Sequence, residues 1–153
     1  MKVYKFEKRQ QIKASIDEAW EYFSTPLNLS KITPSYMNFE ILSDLRDGKM
    51  YPGQIIQYKV RPIANIPLSW TTEITHVIDK KYFVDEQRFG PYRFWHHQHW
   101  FESNENGVLM TDTVHYALPL GILGRLANSL FVAKQLEDIF EYRFKVVDEL
   151  FNK

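Results

Sequence analysis

The chain has 153 residues, with 19 basic and 19 acidic side chains, 11 Phe, 9 Tyr, 4 Trp and no cysteine. That length suits one domain, residues 1–153, able to bury a real core, and the lack of cysteine excludes a disulfide framework, a zinc knuckle and thiol catalysis. Zero net charge argues against nucleic acid as a partner, because phosphate contacts need a basic surplus, while the ring content fits a domain that packs around or grips something apolar.

Lys2, Lys5, Lys8 and Arg9 interrupt any signal-peptide core, and no run approaches the roughly 20 apolar residues of a membrane span. The expectation is a cytoplasmic protein without a transmembrane segment. Tyr4, Phe6 and Ile12 share one parity and Lys5, Glu7 and Arg9 the other, as in a half-buried strand. Ser15-Ile16-Asp17-Glu18 is a capping box that opens a short helix through Trp20, Tyr22 and Phe23. Thr25-Pro26 predicts an N-cap and first-turn proline for a second short helix through Leu29 and Ile32, ended by Thr33-Pro34.

Strand patterns then follow one another. Met37, Phe39 and Ile41 share a face; Asp47-Gly48 and Pro52-Gly53 mark a loop; Ile56, Tyr58 and Val60 share the next face. Between Pro62 and Pro67, the apolar Ile63, Ala64 and Ile66 read either as a cavity lip or as ordinary loop packing. Trp70, Ile74 and Ile78 lie on one face of the next strand, before an Asp79-Lys80 turn. A fifth strand, 83–89, breaks at Gly90-Pro91; a sixth spans 93–102; Asn106-Gly107 is the strongest hairpin signal in the chain. The seventh places Met110, Asp112, Val114, Tyr116 and Leu118 on one face.

After Pro119 and Gly121 the period changes to steps of three or four: Leu126, Leu130, Ala133, Leu136, Phe140, Phe144, Val147 and Phe151. Roughly thirty helical residues would extend about 45 Å, enough to cross the domain. The expected architecture is α+β: a curved antiparallel sheet of about seven strands around a long C-terminal helix, with two short helices after the first strand.

Three stretches carry a resemblance to a known family: Phe83-Val84-Asp85-Glu86-Gln87 with Gly90-Pro91, the run from Trp95 to Phe101, and Leu123-Gly124-Arg125-Leu126 with Ile139-Phe140-Glu141-Tyr142-Arg143. On these the chain resembles the START/Bet v 1-like (SRPBCC) superfamily, and within it the bacterial ligand-binding proteins labelled "cell division inhibitor", related to the polyketide cyclase/dehydrase group. The resemblance implies a helix-grip fold and a hydrophobic cavity for a small molecule. It covers essentially the whole chain and fixes no reaction.

The sixth strand alternates Arg93, Trp95, His97, His99 and Phe101 with Phe94, His96, Gln98 and Trp100, so both faces hold aromatics. Similarity to the family's Trp-x-His-x-His-x-Phe pattern favours the first set as the inner one. His97 and His99 then share a face and admit three readings. They are metal ligands if Asp85 or Asp112 approaches as a third, an acid/base pair, or hydrogen-bonded groups lining an apolar cavity. The last reading is preferred, with no metal and no cofactor expected and no catalytic residue assigned. Asp112 lies on the apolar parity of its strand, and Asp85 shares a parity with Phe83, Gln87 and Phe89, so each needs a buried partner. Arg143, a helical step from Ile139 and Val146, is the candidate to lean inward and neutralise an aspartate.

The function expected is binding of a small hydrophobic or amphipathic molecule between sheet and terminal helix. Asp85, Gln87, His97, His99, Asp112 and Arg143 would meet its polar end; Trp70, Trp95, Phe101 and Tyr116 would hold its body. The alternative is a polyketide cyclase/aromatase-like enzyme using the cavity's His and Asp for proton transfer. An interaction module would instead show a filled interior and a large exposed apolar patch.

Overall fold

The computed structural model describes residues 1–46, 48–62 and 64–153; Asp47 and Ile63, each named above in a loop, lie outside the described residues. Strands β1 (Tyr4–Ile12), β2 (Glu40–Ile41), β3 (Gln54–Val60), β4 (Leu68–Ile78), β5 (Tyr82–Phe89), β6 (Phe94–Asn104) and β7 (Gly107–Ala117) form one sheet. Its spatial order is β1-β7-β6-β5-β4-β3-β2, and every pairing is antiparallel. The helical elements are α1 (Ile16–Phe23), α2 (Gly121–Ala127) and α3 (Ala133–Phe151). This is the expected helix-grip arrangement. Among the described residues no helix is long and apolar enough to cross a membrane.

Helix α1 starts as its sequence dictates. The Ser15 side chain accepts from the Glu18 backbone N–H at 3.2 Å, and the Glu18 carboxylate accepts from the Ser15 N–H at 2.9 Å. Ser15→Ala removes half of that box and is expected to lower the melting temperature by roughly 2–4 °C in a calorimetric scan. The second short helix is a 3-10 helix, Pro26–Ile32, and Thr25 does not cap it. Its hydroxyl instead donates back to the Glu21 carbonyl at 2.7 Å.

Three other expectations are corrected. Met37, Phe39 and Ile41 do not form one strand: Ser35–Met37 is a 3-10 turn ended by Asn38 in the left-handed region, which leaves only Glu40–Ile41 to pair. In β4 a register shift between Ile74 and His76 breaks the alternation, so Val77 packs on the core while Ile78 is exposed. The terminal helix runs from Gly121 to Phe151 but is interrupted by a π-helical turn at Asn128–Val132. Beyond the turn Leu136, Phe140, Arg143 and Val147 are buried; before it Leu120, Ile122, Leu123 and Leu126, and within it Leu130 and Phe131, face water. One extra residue in the turn rotates the helix about 100° and carries the apolar stripe off the core.

The core divides around a cavity. Trp20 and Phe23 of α1 pack with Phe83 and Phe101 at one end; Ile56, Tyr58, Val60 and Ile74 line the β3–β4 side; Val114, Tyr116, Leu136 and Phe140 join β7 to α3.

Candidate functional site

Between the sheet and α3 lies a cavity of about 270 Å³. Sheet residues from β3 to β6, the 3-10 helix and α3 supply its wall, which is largely apolar. Across it, Gln135 of α3 donates to the Pro62 carbonyl at 2.8 Å and ties the helix to the β3–β4 loop.

The polar part of the wall is built by strand register. Asp85 of β5 sits directly opposite His97 of β6, and His99 sits opposite Asp112 of β7. All four side chains share the inner face, so each histidine reaches one aspartate across the strands and the other on the diagonal. His97 Nε2 lies 2.9 Å from Asp112 Oδ1 and its Nδ1 lies 3.3 Å from Asp85 Oδ2. His99 Nε2 lies 2.8 Å from Asp85 Oδ2. Its Nδ1 is 2.8 Å from Asp112 Oδ1, but in a direction that makes no hydrogen bond. Trp95 donates its indole N–H to Asp85 at 3.3 Å, and Arg143 donates to Asp112 at 3.3 Å from α3.

Burial governs the electrostatics. Asp112 is 2% exposed and Arg143 8%. Burial alone would raise the Asp112 carboxyl, but the Arg143 guanidinium, with His97 and His99, holds it well below the usual carboxylate range. Burial also works against the Asp85 charge, and the two imidazoles outweigh it. Burial pushes His97 down and would do the same to His99, where the carboxylates Asp112 and Asp85 win and push it up. One imidazolium, one guanidinium and two carboxylates sum to zero, the condition under which such a group tolerates a dry interior.

The structure brings six of the ten candidate residues to the cavity wall: Trp70, Asp85, Trp95, His97, His99 and Arg143. Asp112 stands directly behind the histidines. Gln87 is elsewhere, holding the β5–β6 turn through bonds with the Tyr92 carbonyl at 2.7 Å and N–H at 3.1 Å. Phe101 packs under α1 against Trp20 and Phe23. Tyr116 donates to Asn128 in the π-helical turn at 2.8 Å. Ala64 and Ile66, offered as a lip, are exposed and outside the wall.

Other wall residues carry weaker sequence signals. Tyr58 and Thr72 share a 2.7 Å hydrogen bond on neighbouring inward positions, which alternation in β3 and β4 marks only as apolar-facing. Tyr92 follows Gly90-Pro91 and packs at a tilt against Trp70 and Trp95, a contact no local pattern announces. Three buried side-chain nitrogens of wall residues have no hydrogen-bond partner: Trp70 Nε1, His99 Nδ1 and Arg143 Nε.

No protein-family model matches the chain, and no curated protein matches its sequence. Solved structures do share its fold. A protein of Chromobacterium violaceum aligns with a TM-score of 0.74 at 9% identity, over 97% of this chain and 98% of that one. A protein of Thermus thermophilus gives 0.69 at 17% identity, over 97% and 95%. Ginseng (Panax ginseng) major latex-like protein 151 gives 0.70 at 13% identity, over 97% of each chain. At these identities the likeness shows a shared fold, the helix-grip arrangement described above.

Proposed function

We propose that this chain binds a small apolar or amphipathic molecule in the cavity between sheet and α3, with the molecule's polar end toward Arg143, Trp70 and the histidines. One observation carries the reading: a mostly apolar space between sheet and helix whose wall gathers the polar side chains Asp85, His97, His99 and Arg143 in one place. A few placed polar groups on an otherwise apolar wall are what orients a small molecule in such a space. At about 270 Å³ the space falls just below the roughly 300–1,000 Å³ of common small-molecule sites, which favours a compact ligand. The sequence resemblance to bacterial SRPBCC proteins and the fold shared with a major latex-like protein support the same reading.

A second reading, a cyclase/aromatase-like enzyme, is favoured by the hydrogen-bonded pair of His97 and Asp112, because His97 also faces the cavity. It requires a ketone-bearing substrate whose exchangeable proton lies within reach of His97.

Binding is tested with 1-anilinonaphthalene-8-sulfonate, an apolar ring system with an anionic end, and by native mass spectrometry of protein purified from its host. The wild type is expected to take up one dye per chain. Ile139→Trp, which fills the cavity from α3, should weaken uptake at least about tenfold while leaving the fold intact. Leu123→Ser, on the exposed patch, should leave uptake unchanged. Dye binding that ignores Ile139→Trp and follows Leu123→Ser would sink the reading.

A further inference from the structure

We propose that Asp85, His97 and His99 form a site for a divalent transition-metal ion facing the cavity, with Asp112 as the carboxylate that orients the His97 imidazole from behind. This goes beyond the organic-ligand reading and does not depend on it. One ligand atom from each of the three residues lies within 4.8 Å of the other two. Ligand atoms at about 2.0–2.1 Å from a zinc-like ion, in tetrahedral or octahedral geometry, lie about 2.9–3.4 Å apart. The Asp85 oxygen is 2.8 Å from His99 Nε2 and 3.3 Å from His97 Nδ1, so these separations need little adjustment.

The surroundings match as well. A metal-bound imidazole usually gives its other nitrogen to a carboxylate that fixes tautomer and ring orientation. His97 would bind through Nδ1 and keep its Nε2 on Asp112 at 2.9 Å. His99 would bind through Nε2, leaving Nδ1, which lacks a hydrogen bond, 2.8 Å from the same carboxylate oxygen. Arg143 holds that oxygen from the far side, and Trp95 fixes the other oxygen of Asp85.

Two imidazoles and one carboxylate suit zinc, iron, cobalt or nickel better than magnesium or calcium. The ion would sit among Asp85 Oδ2, His97 Nδ1 and His99 Nε2, with both imidazoles neutral. With two carboxylates and one guanidinium, a dication leaves one positive charge, so an oxygen anion such as hydroxide or a ligand carboxylate fits a remaining position toward the cavity.

The test uses chelator-treated full chain titrated with cobalt(II). Expected are one ion per chain, visible d–d absorption of a four- or five-coordinate site, and loss of binding by at least about tenfold in Asp85→Asn. His96→Gln, on the opposite sheet face, should leave binding unchanged. If Asp85→Asn fails to fold, wild-type protein with nitrogen-15-labelled histidine decides: paramagnetic shifts at His97 and His99 but not at His76, His96 or His115 support the site. Absence of saturable 1:1 uptake, binding that survives Asp85→Asn, or shifts confined to the outer histidines overturns it. Neither the dye nor a co-purifying molecule enters this measurement, so the two readings fail separately.

Discussion

Asp112→Asn is expected to cost about 3–5 kcal/mol of folding stability, seen in metal-free buffer as a fall in melting temperature on the order of 10 °C. Asp112 is the hub of the buried group: Arg143, His97 and His99 all contact its Oδ1. An asparagine keeps the shape and removes the charge, leaving a guanidinium and an imidazolium to share Asp85 alone. The sign with pH follows. Because the folded carboxyl is held below its unfolded value, its contribution is complete above the unfolded pKa of about 3.9 and shrinks as pH falls toward the folded one. The gap between wild type and Asp112→Asn should therefore narrow in urea denaturation below about pH 4. Adding Arg143→Met to Asp112→Asn should cost less than the sum of the two single changes, by roughly 1–3 kcal/mol. Strict additivity would mean that the 3.3 Å contact couples nothing.

Gly107→Ala is expected to cost about 2–5 kcal/mol, for reasons that combine backbone and packing. Gly107 opens β7 with φ +118°, a region that L side chains avoid. An added Cβ would also press into the Ile12 carbonyl oxygen and come within 3.1 Å of the Ala14 carbonyl. Both obstacles are backbone, at the end of the β1–β7 ladder, and cannot swing aside. Gly53 provides the control: φ is +88° with open space around it, so Gly53→Ala should show only the strain, about 1–2 kcal/mol. Equal losses for the two substitutions in denaturant melts would remove the packing half of this account.

The elements most legible in the sequence are those whose cause is local. The Ser15 box and the inward parity of Asp112 each depend on a few neighbouring residues and stand where the pattern puts them. The Asn106-Gly107 signal marks a real hairpin, but Glu105-Asn106 makes the turn and Gly107 already pairs with Asn104. The inner face of β6 was not legible from alternation, because Phe94, His96 and Trp100 are as aromatic as the residues across from them. In the structure His97, His99 and Phe101 are buried, while Phe94 and Trp100 are exposed.

What parity cannot convey is position along a face. Gln87 and Asp85 share a parity, yet one closes a turn and the other meets two histidines. Phe101 and Tyr116 are buried on inner faces, yet neither lines the cavity. The π-helical turn is unreadable for another reason: inserting one residue has no compositional mark, and Leu126 and Leu130 fit an unbroken stripe by spacing alone.

The antiparallel order that places β1 against β7 also sets a sequence of events for the folding chain. Strands β3 to β7 are joined mostly by short turns and close small loops, whereas β1 finds its partner only across most of the chain, as the Tyr4–Tyr116 pairing shows. Asp85, His97, His99 and Asp112 come from three consecutive strands, so two adjoining hairpins suffice to gather them. Arg143 lies outside those hairpins, on the terminal helix. Until it docks, the gathered carboxylates lack their permanent counter-charge and must stay wet or take up protons. A dry interior therefore requires the terminal helix to be seated, because that helix carries the counter-charge.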